Sequence, residues 1–182
     1  MEQRTVERRL AAILAADMVG YSRLMEADET GTLARLRTHR LELIDPAIAK
    51  NKGRLIKTAG DGMLVEFQSV TQAVECAVEI QRRMARHNSD VAPERAIQFR
   101  IGINLGDVIS EDNDIFGDGV NVAARLQEMA EAGGIRVSAA VCEQVGDRLD
   151  VAFEDLGEHN VKNIFRPVRV HRVRIGPQDG RG

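Results

Sequence analysis

The sequence predicts an α+β fold: a ferredoxin-like βαββαβ core followed by a C-terminal αβ extension. Three observations lead there. The 182 residues, 43% of them hydrophobic and 29% charged, match the composition of a single globular domain that needs no disulfide or metal to fold. Helical and strand-like periodicities follow one another in the order strand, helix, strand, strand, helix, strand. The first strand, residues 10–16, is apolar without alternation, which suits a central strand covered on both faces.

That strand ends in Asp17-Met18-Val19-Gly20-Tyr21-Ser22, where the chain must turn. Asp28 is placed to cap a long helix whose apolar positions Leu33, Leu36, Leu43, Ile44, Ala47 and Ile48 fall near helical spacing. Asn51-Lys52-Gly53 ends it, with Gly53 expected in the left-handed cap. Residues 54–59 and 63–68 read as a hairpin joined by Gly60-Asp61-Gly62, because an Asp-Gly pair between strand-like runs favours a tight turn. Ser69 or Thr71 opens a second helix with Val70, Ala73, Val74, Ala77, Ile80 and Met84 on one face. Residues 98–105 and 107–111 are expected to pair around Gly106. A loop (112–119), a helix (120–132), a strand (135–138), a short helix and a final strand region (167–175) complete the reading. Residues 1–175 form the expected domain. The glycine-rich residues 176–182 read as a flexible tail or linker toward a further regulatory domain.

Composition excludes several classes of function. The net charge of -3, the absence of a basic run, 3% aromatics and no Trp argue against a nucleic-acid binder. Cys76 and Cys142 form no CxxC and have no clustered His, so zinc and redox motifs have no starting point. The apolar run is far shorter than the roughly 20 residues that span a bilayer. Arg4, Arg8 and Arg9 precede it as in a signal peptide, but Asp17 follows at once and no cleavage site comes later, so a cytoplasmic location is expected.

Taken singly, each polar candidate has a plain structural use. Asp17 and Asp118 could cap helices, Asp61 could serve its turn, and Asp114 could be any loop acid. Lys57 could be a solvated strand residue, and Asn121 and Arg125 could lie on a wet helix face. Together they suggest more. Asp17 at the end of the central strand and Asp61 at the hairpin tip converge at one edge of the predicted sheet. Two carboxylates there suit Mg2+ or Mn2+ bound with a nucleoside triphosphate. Gly20 and Ser22 leave backbone N–H groups free to face phosphates where a helix begins.

Three segments carry a family resemblance: Ala16-Asp17-Met18-Val19-Gly20-Tyr21-Ser22, Ile56-Lys57-Thr58-Ala59-Gly60-Asp61-Gly62, and residues 114–126, Asp114-Ile115-Phe116-Gly117-Asp118-Gly119-Val120-Asn121-Val122-Ala123-Ala124-Arg125-Leu126. They strongly resemble the class III nucleotide cyclase catalytic domain, in its bacterial adenylate cyclase branch, over about residues 8–173. The resemblance implies the class III cyclase fold and conversion of ATP to cyclic AMP and pyrophosphate. It implies that Asp17 and Asp61 bind two divalent cations (Mg2+ or Mn2+) with the Met18 carbonyl, and that Gly20, Tyr21 and Ser22 line the substrate. Lys57 and Asp114 would read adenine, Asn121 orient the ribose, Arg125 stabilise charge on the α-phosphate, and Lys162 contact the triphosphate.

The resemblance further implies a head-to-tail homodimer with two composite sites. Asp17 and Asp61 would come from one protomer, and Lys57, Asp114, Asn121, Arg125 and Lys162 from the other. Guanylate cyclases usually carry Glu and a small residue where Lys57 and Asp114 stand. Diguanylate cyclases carry a different hairpin from Gly60-Asp61-Gly62-Met63. An inactive nucleotide-binding regulatory module would be expected to lack a metal acid or the arginine, and both are retained.

Overall fold

The computed structural model describes residues 6–59, 61–161 and 164–175. They form one mixed eight-stranded sheet in the order β2-β3-β1-β4-β6-β8-β7, with β5 paired to β4. Strand β1 (Val6–Met18) lies antiparallel between β3 (Gly62–Phe67) and β4 (Phe99–Glu111). With β2 (Arg54–Ala59) at the edge, these four strands have the ferredoxin-like order that the sequence predicts.

Two cores explain the apolar run of β1. Ala12, Leu14, Ala16 and Met18 join the larger core with Leu24 of α1 (Tyr21–Ala27) and Ala47 and Ile48 of α3 (Asp45–Lys50). That core also takes in α4 (Val70–Asn88) and α6 (Ala139–Val145). Ala11, Ile13 and Ala15 pack on the opposite face with Leu64, Val108, Ile115 and Ala123 of α5 (Asp118–Met129). A strand buried on both sides has no polar face to alternate with. The helices are thus not confined to one face, because the extension lays α5 on the other. It seats there closely: a Cβ at Gly102 of β4 would run into the Gln127 amide nitrogen and the Ala123 carbonyl.

Several expectations need correction. Gly106 is no turn; β4 runs through it unbroken, and Gly106 pairs with Ala11. Its missing side chain instead makes room for Gly119, whose Cα would lie 3.1 Å from a Cβ there. The actual hairpin lies beyond it. Asp112 and Asn113 adopt left-handed φ of 52° and 66°, and the expected loop contains β5 (Asp114–Phe116). The expected turn after Met18 is already helical from Tyr21.

Asp28 does cap α2 (Glu29–His39), accepting from the Gly31 N–H at 3.0 Å. The helix then passes through a π turn (Arg40–Ile44) before α3, consistent with Pro46, which lacks a donor. Leu33 consequently faces solvent, and Thr32 is buried, its hydroxyl donating to the Leu24 carbonyl at 3.0 Å. The left-handed residue after α3 is Lys52 (φ 60°), whereas Gly53 is required because a Cβ would strike the Phe67 ring.

Ser69 caps α4, and β6 (Ile135–Ser138), α6 and β8 (Val168–Arg174) fall where expected. Strand β7 (Ala152–His159), at the sheet edge, is an element that the sequence reading does not include. No helix among the described residues is long and apolar enough to cross a membrane. Residues 176–182 lie outside the described residues.

Candidate active site

Asp17 continues the odd-numbered series of β1 and so faces the α5 side of the sheet. It is paired across the ladder with Gly62 on one side and Arg100 on the other. The hairpin tip folds against the same strand end, where the Met18 N–H donates to the Asp61 carbonyl at 3.2 Å. The two acids, 44 positions apart in the sequence, are thus neighbours. Burial pushes the Asp17 carboxyl above its usual range, against the pull of the Arg100 guanidinium, and the charge of Asp61 adds to the rise.

Arg100 is the cation that answers this acid. Its Nε and Nη2 donate to the two Asp17 oxygens at 3.3 Å each, and its Nη1 reaches the Glu128 carbonyl at 3.4 Å. Residue-by-residue reading missed Arg100, because only the pairing register sets it opposite Asp17. Two carboxylates plus the Met18 carbonyl are hard oxygen donors, few enough to leave positions for phosphate oxygens and water. That suits Mg2+ or Mn2+ held jointly with a triphosphate. No group of three or more His, Cys, Asp or Glu among the described residues could enclose an ion alone. An acid whose carboxyl stays raised despite an arginine is one that a divalent ion would relieve. The donor set therefore fits.

Beyond Asp17 and Met18 the chain enters α1 through Gly20 in the left-handed region (φ 64°), with no side chain capping the helix. Tyr21 and Ser22 supply its first turn.

A second cluster gathers Lys57 and Asp114, which are 57 positions apart. The Lys57 ammonium lies 3.1 Å from one Asp114 oxygen and 3.2 Å from the other. Burial pushes the Asp114 carboxyl up, but the Lys57 ammonium and the Ile115 N–H, donating at 2.8 Å, hold it below its ordinary value. A donor and an acceptor are thereby fixed side by side. The Phe116 ring, whose centroid is 5.6 Å from Lys57 Nζ, lies against the pair.

The third group stands on α5. Val122, Ala123 and Leu126 are buried, while Asn121 is exposed and Arg125 half-exposed. Arg125 Nη1 donates to both oxygens of Glu128, at 3.0 and 2.9 Å. Asp118, expected as a possible cap, is instead the first helical residue, behind Gly117.

Within one chain the Lys57–Asp114 pair stands apart from Asp17, whereas Arg100 links Asp17 to α5 through the Glu128 carbonyl. The ion pairs of these side chains are Asp17 with Arg100, Lys57 with Asp114, and Arg125 with Glu128, and among the described residues no ion pair joins one group to another. Asp17 sits beside Arg100 near one end of β4, and Asp114 beside Glu111 at the other. Lys162 lies outside the described residues.

Residues 6–174 match the family described as the adenylate and guanylate cyclase catalytic domain. A protein of Rhizobium meliloti named "Putative adenylate cyclase 3" is 51% identical over 170 residues, 93% of this chain and 29% of that protein. An adenylate cyclase of Streptomyces coelicolor is 34% identical over 148 residues, 79% of this chain and 36% of that protein. The chain thus spans 29–36% of the length of these two relatives. The crystal structure of an adenylate/guanylate cyclase/hydrolase from Silicibacter pomeroyi superposes with a TM-score of 0.87 at 54% identity, covering 92% of this chain and 98% of that one.

Proposed function

Because the chain belongs to the adenylate and guanylate cyclase catalytic domain family, we propose that it converts ATP to 3′,5′-cyclic AMP and pyrophosphate at sites that two copies of the chain complete together. The Lys57–Asp114 pair at 3.1 Å carries the reading. Adenine offers a ring-nitrogen acceptor beside an exocyclic amine donor, which this ammonium and carboxylate complement. Guanine turns a carbonyl toward the carboxylate and leaves both groups mismatched.

In this account Asp17 and Asp61, with the Met18 carbonyl, hold two divalent cations. When bound, these supply acidification of the ribose 3′-hydroxyl and charge neutralisation on the departing pyrophosphate. The backbone at Gly20, Tyr21 and Ser22 receives phosphate oxygens at the start of α1. Asn121 orients the ribose so that its 3′-oxygen lies in line with the leaving group. A bond forms from that oxygen to the α-phosphorus, the bond to the bridging oxygen of pyrophosphate breaks, and the hydroxyl proton passes to solvent water. Arg125 places permanent positive charge and planar donors against the α-phosphate oxygens as they gain charge. Lys162 is assigned to the triphosphate.

The separation of the Lys57–Asp114 pair from Asp17 within a chain supports a shared site. A second copy, related by a two-fold axis, would set its Lys57, Asp114, Asn121 and Arg125 against the first copy's acids, and the reverse, giving two sites. The exposed apolar residues Val6, Leu10 and Leu55 offer material for such a contact.

Product analysis with Mn2+ and ATP or GTP tests the base reading. The wild-type chain is expected to yield cyclic AMP, and Lys57→Glu combined with Asp114→Cys to lower the ATP-to-GTP preference on the order of 10²-fold or more. Equal or better turnover of GTP by the wild type would refute it.

A further inference from the structure

We propose that Phe116 is a positioning residue for base recognition, holding the Lys57 ammonium in register with Asp114 so that the pair meets adenine already assembled. The inference rests on the adenine-reading role proposed above for Lys57 and Asp114. A lysine has four rotatable bonds, and this one is half-exposed, so a single surface ion pair would hold it weakly. The fold adds two constraints.

The first is a β-bulge. Leu55 pairs with Val65 and Lys57 with Leu64, leaving Ile56 as the extra residue between them. Leu64 belongs to the α5-side core, and Ile56 packs against that same core. The bulge thus turns two consecutive residues of β2 toward one face, and Ile56 anchors the backbone from which Lys57 projects.

The second constraint is the period of β5. Ile115 is 1% exposed and locked in the α5-side core. Its neighbours Asp114 and Phe116 therefore share the opposite side of the strand, two residues apart. One short strand presents a carboxylate and an aromatic face to the same ammonium. The carboxylate sits at 3.1 Å and the ring centroid at 5.6 Å, within cation–π range. Phe116 is 47% exposed, so burial alone gives little reason for a large aromatic side chain there.

Kinetics with ATP and GTP on Phe116→Leu, Phe116→Trp, Lys57→Met and the Lys57→Met/Phe116→Leu double variant test this. Leucine keeps apolar bulk but has no π face. Phe116→Leu is expected to raise KM for ATP about two- to fivefold and to narrow the ATP-to-GTP preference by a similar factor, with kcat little changed. Phe116→Trp should retain wild-type values, and in the double variant the leucine should add nothing to the loss caused by Lys57→Met. A leucine variant with wild-type KM and base preference would overturn the proposal, as would equal losses in the leucine and tryptophan variants. So would full additivity with Lys57→Met, or a loss that follows weakened dimerisation in sedimentation. If Lys57→Met itself leaves KM and base preference unchanged, the adenine-reading assignment falls and this role falls with it. If Lys57→Met has its effect and Phe116→Leu has none, only the role of Phe116 is lost.

Discussion

Replacing Arg125 with alanine is expected to lower kcat on the order of 10³-fold or more while KM for ATP changes little, as measured by steady-state production of cyclic AMP. The guanidinium stands on the outer face of α5, and its described partner is Glu128 on the same helix. Such a surface pair stabilises a helix by only about 0.2–0.5 kcal/mol, so the variant should fold and melt like the wild type. What it loses is charge placed where the α-phosphate oxygens become more negative, an interaction stronger in the transition state than in the ground state. Arg125→Lys should recover only part of the rate, because an ammonium cannot reproduce the planar donor fork. A large rise in KM with kcat preserved would instead make Arg125 an ordinary substrate-binding group.

Asp17→Ala is expected to reduce turnover at least as far, on the order of 10³-fold, and to abolish the thermal stabilisation given by Mn2+ with ATP. The acid sits where β1, the hairpin tip and Arg100 meet, beside Asp61, the other acid assigned to the cations. The raised carboxyl pKa adds a pH signature. Protons and cations compete for Asp17, so the Mn2+ concentration needed for half-maximal activity should climb as pH falls. The climb should begin at a higher pH than an ordinary aspartate would give. Full Mn2+-dependent activity in Asp17→Ala would remove this residue from the cation site.

Much of this arrangement was legible in the sequence, because its signals are local. The capping acid Asp28, the capping Ser69 and the unbroken apolar run of β1 each announce their element within a few residues. The six side chains Asp17, Lys57, Asp61, Asp114, Asn121 and Arg125 lie in short motifs, and the fold groups them as Asp17 with Asp61, Lys57 with Asp114, and Asn121 with Arg125. What escaped depends on distant partners. Gly106 looks like a turn because glycine serves equally for a turn and for close approach of a helix, and only the seating of Gly119 shows which. Arg100 gains its meaning from a ladder that pairs it with Asp17. Strand β7 is an edge strand carrying Glu154, Asp155 and Glu158, with an irregularity around Gly157 (φ 86°), and so lacks the apolar alternation by which strands are recognised.

The shared site has its sharpest test in complementation. Asp17→Ala damages one half of each site and Arg125→Ala the other, so each homodimer should be nearly inactive. In an equimolar mixture allowed to exchange subunits, half of the dimers are mixed, and each of these has one site with every group intact. Cyclic AMP production should then rise to about a quarter of the wild-type rate. If mixed dimers form, as native mass spectrometry can establish, and the mixture stays as inactive as its components, each chain does not complete its neighbour's site.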